Sequence, residues 1–427
     1  MSSTVSDYRL DGIYRQRQEG FFMQRVKLTA GVISAGQARA VAALSTRFGQ
    51  GNIHLTTRGS LEIHWIREND LAEVKRSLLA AGLTSRGACG GAVRGVTCAS
   101  QGALGFPTVE TLARRIHRHF TANPRFERLP KKFKIGVEAD ASSRRHLIQD
   151  VGLLLAGSHD GVARYDLFVA GGLGREPQPG FLFESGVSEN RVIPLIEAIA
   201  RVYAAHTPPG KRLKHLVGSI GEPEFRRLVA QEPSAVEELP PVTGLPENLL
   251  PPAGLRRIVA GVLAGELTSD QLLALADFAD RWGGGFLVAT VDQDIAFHVD
   301  QTLDPARAAG ALEQAGFSRG EVCLRVCPGS HLCLAGLSST RDIAANVLEG
   351  MGPAGRGLSW ALSGCPNSCT QPQLAEVGIV TSGLVRSEDG QRSPRFDLYR
   401  SGDDAFGRLA ESNLTLDQLY GKLRQIG

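Results

Sequence analysis

No apolar run in the 427 residues approaches the ~18 needed for a membrane-spanning helix, which excludes a helical span. Nor is there an excess of charge: 47 Lys and Arg stand against 44 Asp and Glu, giving no global electrostatic case for nucleic acid. Aromatic residues are scarce at 6%, thin for a protein that stacks on bases. The opening MSSTVSDYRLDG lacks the basic and then apolar segments of a secretory signal, so a cytoplasmic location is expected. What remains is an ordinary globular composition, 42% hydrophobic and 21% charged, with length for about three domains. Glycine is in excess, 50 residues or about 12% against an average near 7%. Seven cysteines in a cytosolic chain argue for metal or redox chemistry before disulfides.

The chain repeats itself. Residues 33–64 (ISAGQARAVAALSTRFGQGNIHLTTRGSLEIH) align without a gap with residues 267–298 (LTSDQLLALADFADRWGGGFLVATVDQDIAFH), and the match persists to Gly82 and Gly316. In each copy a plausible N-cap, Ser34 or Thr268, precedes an Ala/Leu-rich helix ending at Phe48-Gly49 or Trp282-Gly283. A strand is expected over His54–Trp65 and Phe286–Val299, and a second helix over Leu71–Ala81 and Pro305–Ala315. This order predicts two small α+β units pairing about a pseudo-twofold axis. Fainter echoes extend the duplication: QDVGL at 149–153 matches AEVGI at 375–379, and RYDLF at 164–168 matches RFDLY at 395–399. Between the halves, residues 232–253 hold Pro233, Pro240, Pro241, Pro246, Pro251 and Pro252 and read as an extended linker.

Four of the cysteines are paired. Cys327 and Cys333 stand in RVCPGSHLC, Cys365 and Cys369 in SGCPNSCTQ. Four thiolates from two Pro/Gly-containing loops suit an iron–sulfur cluster or a zinc ion, and the five-residue gap fits the wider cluster better. Cys89, Cys98 and Cys323 lack such pairing and are expected to be buried thiols. A second constellation is cationic and confined to the first half. Arg58 lies in LTTRGSLEIHW, where its repeat partner is Asp292; Arg94 lies in GGAVRGVTCAS. Lys132 and Lys134 in LPKKFKIG alternate, which predicts one face of a strand for both.

The segment SGCPNSCTQPQLAEVGIV, together with CPGSHLC, resembles the cluster signature of the siroheme-dependent nitrite and sulfite reductases. The resemblance runs from about residue 10 to the end. It implies an internally duplicated α+β fold, with two ferredoxin-like half-domains about a pseudo-twofold and two α/β cofactor-binding domains. The corresponding bounds are 10–82 and 254–317 for the half-domains, 83–231 for the first siroheme and substrate domain, 232–253 for the linker, and 318–427 for the [4Fe–4S] and siroheme domain. By position, Cys327, Cys333, Cys365 and Cys369 would hold a [4Fe–4S] cluster, and Cys369 would also be the axial ligand of the siroheme iron. Arg58, Arg94, Lys132 and Lys134 would line the distal face of the siroheme as catalytic and cofactor-binding residues. Siroheme bears eight carboxylates and its substrates are small oxyanions, so convergent cations that hold charge and supply protons are what such a site needs.

Other residues receive secondary readings. The GGLG at 171–174 resembles a family loop that touches the cofactor, and a plain turn reads nearly as well. Arg212 and Lys214 are placed on propionates or on a helix surface. The RRIHRHF run at 114–120 reads as a solvated helix face. His64 and its mate His298 recur for reasons of fold, and His331 needs no ligand role. Gly59-Ser60 follow Arg58 where many relatives carry larger residues. No flavin or nicotinamide module is evident, so electrons are expected from an external donor, a ferredoxin or a flavoprotein. The expected reaction is six-electron reduction of sulfite to sulfide or nitrite to ammonia, with a lean to sulfite from the GCPN loop and LTTR strand. The alternatives are a precorrin-3B synthase-like oxygenase of cobalamin biosynthesis and a non-catalytic iron–sulfur carrier or zinc-stapled binding protein.

Overall fold

Two hydroxyl side chains start two equivalent helices. In the computed structural model, which describes residues 5–99, 105–240, 255–317, 322–386, 390–402 and 406–426, Ser34 accepts the Gln37 N–H at 3.2 Å while the Gln37 side chain accepts the Ser34 N–H. Thr268 and Gln271 repeat this reciprocal cap. The first half runs α1 (Val5–Leu10), β1 (Ile13–Arg15), β2 (Phe21–Val26), β3 (Val32–Ser34), α2 (Ala35–Phe48), β4 (Asn52–Leu55), β5 (Leu61–Arg67) and α3 (Leu71–Ala80). There follow α4 (Phe106–Phe120), β6 (Ile135–Glu138), β7 (Val151–His159), β8 (Val162–Val169), β9 (Phe181–Ser188), α5 (Glu189–His206), α6 (Leu213–Ile220) and α7 (Glu222–Gln231). The second half opens with β10 (Leu255–Ala260), β11 (Glu266–Thr268), α8 (Ser269–Trp282), β12 (Phe286–Ala289), β13 (Ile295–Asp300) and α9 (Pro305–Gln314). It closes with β14 (Cys323–Val326), α10 (Gly329–Leu332), α11 (Thr340–Glu349), α12 (Pro353–Arg356), β15 (Ser359–Ser363), β16 (Val377–Arg386), β17 (Arg392–Arg400), β18 (Arg408–Leu414) and α13 (Leu416–Leu423).

The two repeat units exchange strands. One sheet has the order β1-β2-β5-β4-β11 and the other β10-β13-β12-β3, so each half donates a three-residue strand to the other half's sheet. With α2 packed on α8, both halves share one core, in which Val41, Ala42, Leu275 and Ala276 are fully buried. Two further sheets each enclose a core of their own. In one, β6 runs parallel to β7, and β8 and β9 follow antiparallel. In the other, β14, β15 and β16 are parallel and β17 and β18 antiparallel. The echoes at 149–153 and 375–379 begin β7 and β16. Gly152 faces Phe168 and Gly378 faces Tyr399, so the duplicated segments have the same register.

Three local expectations change. The single strand over 54–65 is a hairpin, β4 and β5, and that over 286–299 is β12 and β13. The reason is a turn that both halves build alike. Thr56 Oγ1 accepts the N–H groups of Arg58 and Ser60, Thr290 Oγ1 those of Asp292 and Asp294. Gly59 (φ +60°) and Gln293 (φ +69°) close these turns, and a Cβ on Gly59 would lie 2.8 Å from the Ala289 carbonyl oxygen. The RRIHRHF face is not all solvated: Arg115 is buried and paired with Glu189, while Ile116 and Phe120 enter the core. The proline-rich stretch begins as a 3-10 turn, Pro233–Val236, because Ser234 and Ala235 bury against neighbouring helices; residues 241–254 lie outside the described residues.

A Cβ at Gly378 would overlap the Pro372 carbonyl oxygen, backbone that cannot rotate away, whereas one at Gly218 in α6 meets nothing. Gly378→Ala is expected to cost about 1–3 kcal/mol in denaturant unfolding. Gly218→Ala is expected to be neutral or to stabilise by up to about 1 kcal/mol.

Candidate functional site

β14 and β15 are parallel neighbours, so the loops leaving their C-terminal ends emerge at one sheet edge. The first carries Cys327 and, after α10, Cys333; the second carries Cys365 and Cys369. All four line a cavity of about 480 Å³ at the junction of the three cores. The loops are tied together: Gly364 N–H donates to Cys327 Sγ at 3.1 Å, Thr340 Oγ1 donates to the Cys327 carbonyl at 2.6 Å, and Leu337 N–H to the Gly364 carbonyl at 2.7 Å. Burial pushes the Cys327 thiol up to about 12 and Cys365 to about 11, and raises Cys333. Such sulfurs ionise only when a bound cation compensates, and the N–H donated to Cys327 favours the thiolate. Among the described residues no three His, Cys, Asp or Glu side chains converge on one point where a single metal ion could sit. Four thiols distributed round a cavity suit a multi-iron cluster, not a zinc staple.

The opposite wall is basic. Arg58, Arg94, Lys132 and Lys134 all face the cavity, joined by Arg9, Arg15, Arg25 and Lys27; among the described residues Glu62 is the one acidic side chain lining it. Lys132 and Lys134 flank a single bridge residue, Phe133, that pairs with Val93 in extended chain leading into β6, so alternation does place them together. Backbone carbonyls hold the arginines. Arg94 donates to Gly87 (3.2 Å), Gly90 (2.8 Å) and Ala92 (3.2 Å). Arg58 donates to Gly95 (2.8 Å) and to the Gln149 side chain (2.9 Å). The lysines pay for the crowding. Burial, aided by Arg94, lowers Lys27 to about 7; burial and the neighbouring cations lower Lys132 to about 8, with Cys369 opposing. Lys134 falls well below the ordinary lysine range through burial, Lys132 and Arg58. A wall of this kind binds anions and releases protons.

The two walls belong to different halves and are hydrogen-bonded to each other. Thr57 Oγ1, beside Arg58, donates to the Cys369 carbonyl at 2.6 Å, and Gln371 Nε2 donates to the Thr57 carbonyl at 2.8 Å. Asp292, the mate of Arg58, points away from the cavity to Arg145 (2.6 Å) and Arg325 (3.0 Å). Burial works against its charge, but the two guanidinium groups hold the carboxyl well below the usual range. Cys323 is half-buried beside this group rather than fully buried, its Sγ 3.8 Å from Asp292; Cys89 and Cys98 are buried as expected.

Arg212 and Lys214 are neither on a surface nor on the cavity wall. Arg212 pairs with the buried Asp150 at 2.8 Å, and Lys214 donates to the carbonyls of Gly172, Leu173 and Glu176, so both brace the 171–174 loop, whose Leu173 reaches the cavity. His64 is buried at the cavity near Glu62, and His331 bonds Ser339 at 2.8 Å. His298 stacks on Phe106. Sequence reasoning missed Arg9, Arg15, Arg25, Lys27 and Glu62. The available signal was period two: Met23, Arg25 and Lys27 share one face along β2 and its continuation.

Fold and cavity define a duplicated α+β protein with paired ferredoxin-like halves and two further sheets. A family profile described as nitrite/sulfite reductase ferredoxin-like half domain matches residues 14–81 and 254–309, and one described as nitrite and sulphite reductase 4Fe-4S domain matches 96–237. The chain belongs to the nitrite and sulfite reductase family, whose members use siroheme and a [4Fe–4S] cluster. Only Cys98 falls within 96–237; the four cavity cysteines lie on loops of the duplicate sheet, β14–β18. The chain is 28% identical to a ferredoxin–nitrite reductase of Synechococcus elongatus, over 97% of this chain and 87% of that protein. It is 26% identical to sulfite reductase [ferredoxin] 2 of Mycolicibacterium paratuberculosis, over 98% and 84%. The structure of the Mycobacterium tuberculosis NirA protein superimposes with a TM-score of 0.84 at 23% identity, covering 99% of this chain and 87% of that one, which demonstrates a shared fold.

Asp150 is fully buried, pairs with Arg212 and also accepts the Lys134 N–H at 2.8 Å. Asp150→Ala leaves Arg212 uncompensated and is expected to lower unfolding free energy by about 3–5 kcal/mol, with anion binding weakened as Lys134 loses its anchor.

Proposed function

We propose that the protein catalyses six-electron reduction of a small oxyanion, sulfite to sulfide or nitrite to ammonia, with electrons from an external donor of the ferredoxin class. The observation that carries this reading is one cavity walled by four thiols on one side and a basic cluster on the other. The names of the relatives, ferredoxin-dependent nitrite and sulfite reductases, support both substrates and the donor. No helix among the described residues is long and apolar enough to cross a membrane. A chain that commits four of its seven cysteines to a cluster fits a reducing compartment, hence the cytoplasm.

Siroheme and a [4Fe–4S] cluster, when bound, supply the iron centre that takes the oxyanion and the store of electrons that reduces it. Cys327, Cys333, Cys365 and Cys369 would hold the cluster, with Cys369 shared with the siroheme iron. Arg58 and Arg94, fixed by carbonyls, would present positive charge to the oxyanion and to the carboxylates of a bound macrocycle. Lys132 and Lys134, whose protons are loosened by burial and by neighbouring cations, deliver protons so that each oxygen leaves as water. Arg25, half-buried and paired with Glu62, and the buried Lys27 add to the field.

The purified protein is expected to show siroheme absorbance, cluster iron, and turnover of sulfite or nitrite with a reduced dye; the ratio of kcat/KM identifies the substrate. Iron–sulfur absorbance without haem overturns the reading in favour of an oxygenase or carrier, and a colourless zinc protein overturns all redox readings. Lys134→Ala is expected to lower kcat by about 100-fold or more with siroheme retained; unchanged turnover removes its role. The protonated amine of Lys132 holds the anion, and a lowered pKa releases that proton sooner. The kcat/KM is therefore expected to fall as pH rises through about 8, and Lys132→Arg, charged throughout, to move or abolish that limb.

A further inference from the structure

The 3-10 turns that precede the equivalent strands β7 and β16 meet each other. Ile148 and Leu374 stand at matching positions before those strands and pack together with Leu173. Arg145 and Gln371 also match, and Arg145 Nε donates to Gln371 Oε1 at 2.8 Å. From this central bond each residue reaches the hairpin turn of the opposite half. Gln371 donates to the Thr57 carbonyl (2.8 Å), next to Arg58; Arg145 donates to Asp292 (2.6 Å), the mate of Arg58. One pseudo-symmetric contact is neutral and the other is an ion pair.

The ionic contact is reinforced. Arg325, in β14, bonds Asp292 at 3.0 Å and with its Nε donates to the Thr370 carbonyl at 2.9 Å. The third nitrogen of Arg325 approaches the Gln371 carbonyl at 3.4 Å. Thr370 and Gln371 directly follow Cys369, whose own carbonyl is held by Thr57. Residues 369–371 are thus gripped at each carbonyl, twice by a guanidinium that Asp292 orients. Arg145, Arg325 and Gln371 are buried, so their hydrogen bonds are shielded from water.

We propose that Asp292 is a positioning residue which, through Arg145 and Arg325, fixes the 369–371 segment and so aims the Cys369 sulfur at the Arg58 wall. The inference rests on the reading of Cys369 as a metal ligand. In this half of the duplication the turn that elsewhere supplies a cation to the cavity supplies a half-buried anionic anchor for the metal-binding loop. Loss of the carboxylate leaves Arg145 and Arg325 repelling each other behind the loop, and the sulfur loses its fixed direction.

The test is Asp292→Asn in the holoenzyme, with Gln371→Met cutting the same chain of bonds at an uncharged member and Asp294→Asn as the control on the same turn. Both test variants are expected to shift the siroheme absorption bands and the cluster midpoint potential. Their kcat should fall about tenfold or more, with KM for the oxyanion within about twofold. Asp292→Glu is expected to recover part of the shift, and Asp294→Asn to leave spectrum and potential unchanged. If Asp292→Asn fails to fold, Gln371→Met alone decides. Wild-type spectra and potentials in both variants overturn the positioning role while leaving the proposed function intact. A wild-type protein without siroheme and cluster overturns both.

Discussion

Like charges resist being gathered, and among its described residues this protein gathers eight Lys and Arg side chains around one cavity with a single carboxylate, Glu62, between them. The rest of the structure answers that repulsion. Arginines are bound to backbone carbonyls, which lend partial negative charge without neutralising them. Lysines yield by holding their protons weakly. The remaining deficit is what makes the cavity receptive to polyanions. A wall satisfied by its own acids would have nothing left to bind with.

Duplication supplies the means. Two equivalent hairpin turns, 56–60 and 290–294, share a threonine-capped backbone, yet one carries Arg58 into the cavity and the other carries Asp292 away from it. The sheets that follow diverge likewise: the first half orders cations through Asp150 and Arg212, the second orders thiols at the ends of parallel strands. Because each ferredoxin-like sheet ends in a strand from the opposite half, the two halves that carry these walls are held together.

Much of this was readable in the sequence. The capping residues Ser34 and Thr268, the helix ends at Gly49 and Gly283, the paired cysteine loops and the alternation of Lys132 and Lys134 are local features whose chemistry travels with the residue. What escaped is nonlocal. Strands β3 and β11 are three residues long and pair through backbone across the duplication, so no side-chain pattern announces them. Arg25 and Lys27 look like edge residues of an ordinary strand until the cavity beside them exists. Arg115 reads as surface, and Arg212 and Lys214 as propionate contacts or surface, because sequence does not display Glu189, Asp150 or the 171–174 carbonyls that accept them inside.

The exchanged strands also impose an order on synthesis. When the ribosome has completed β4, the strand that must lie along its outer edge, Glu266–Thr268, is still some two hundred residues from being made. Throughout that interval the nascent chain presents an unpaired edge, and β3 waits for a sheet not yet translated. The first half can therefore collapse but not finish, and its final register is written only when the second half emerges. A gene arrangement that separated the halves into two messages would leave each product with one sheet edge bare and one strand unplaced.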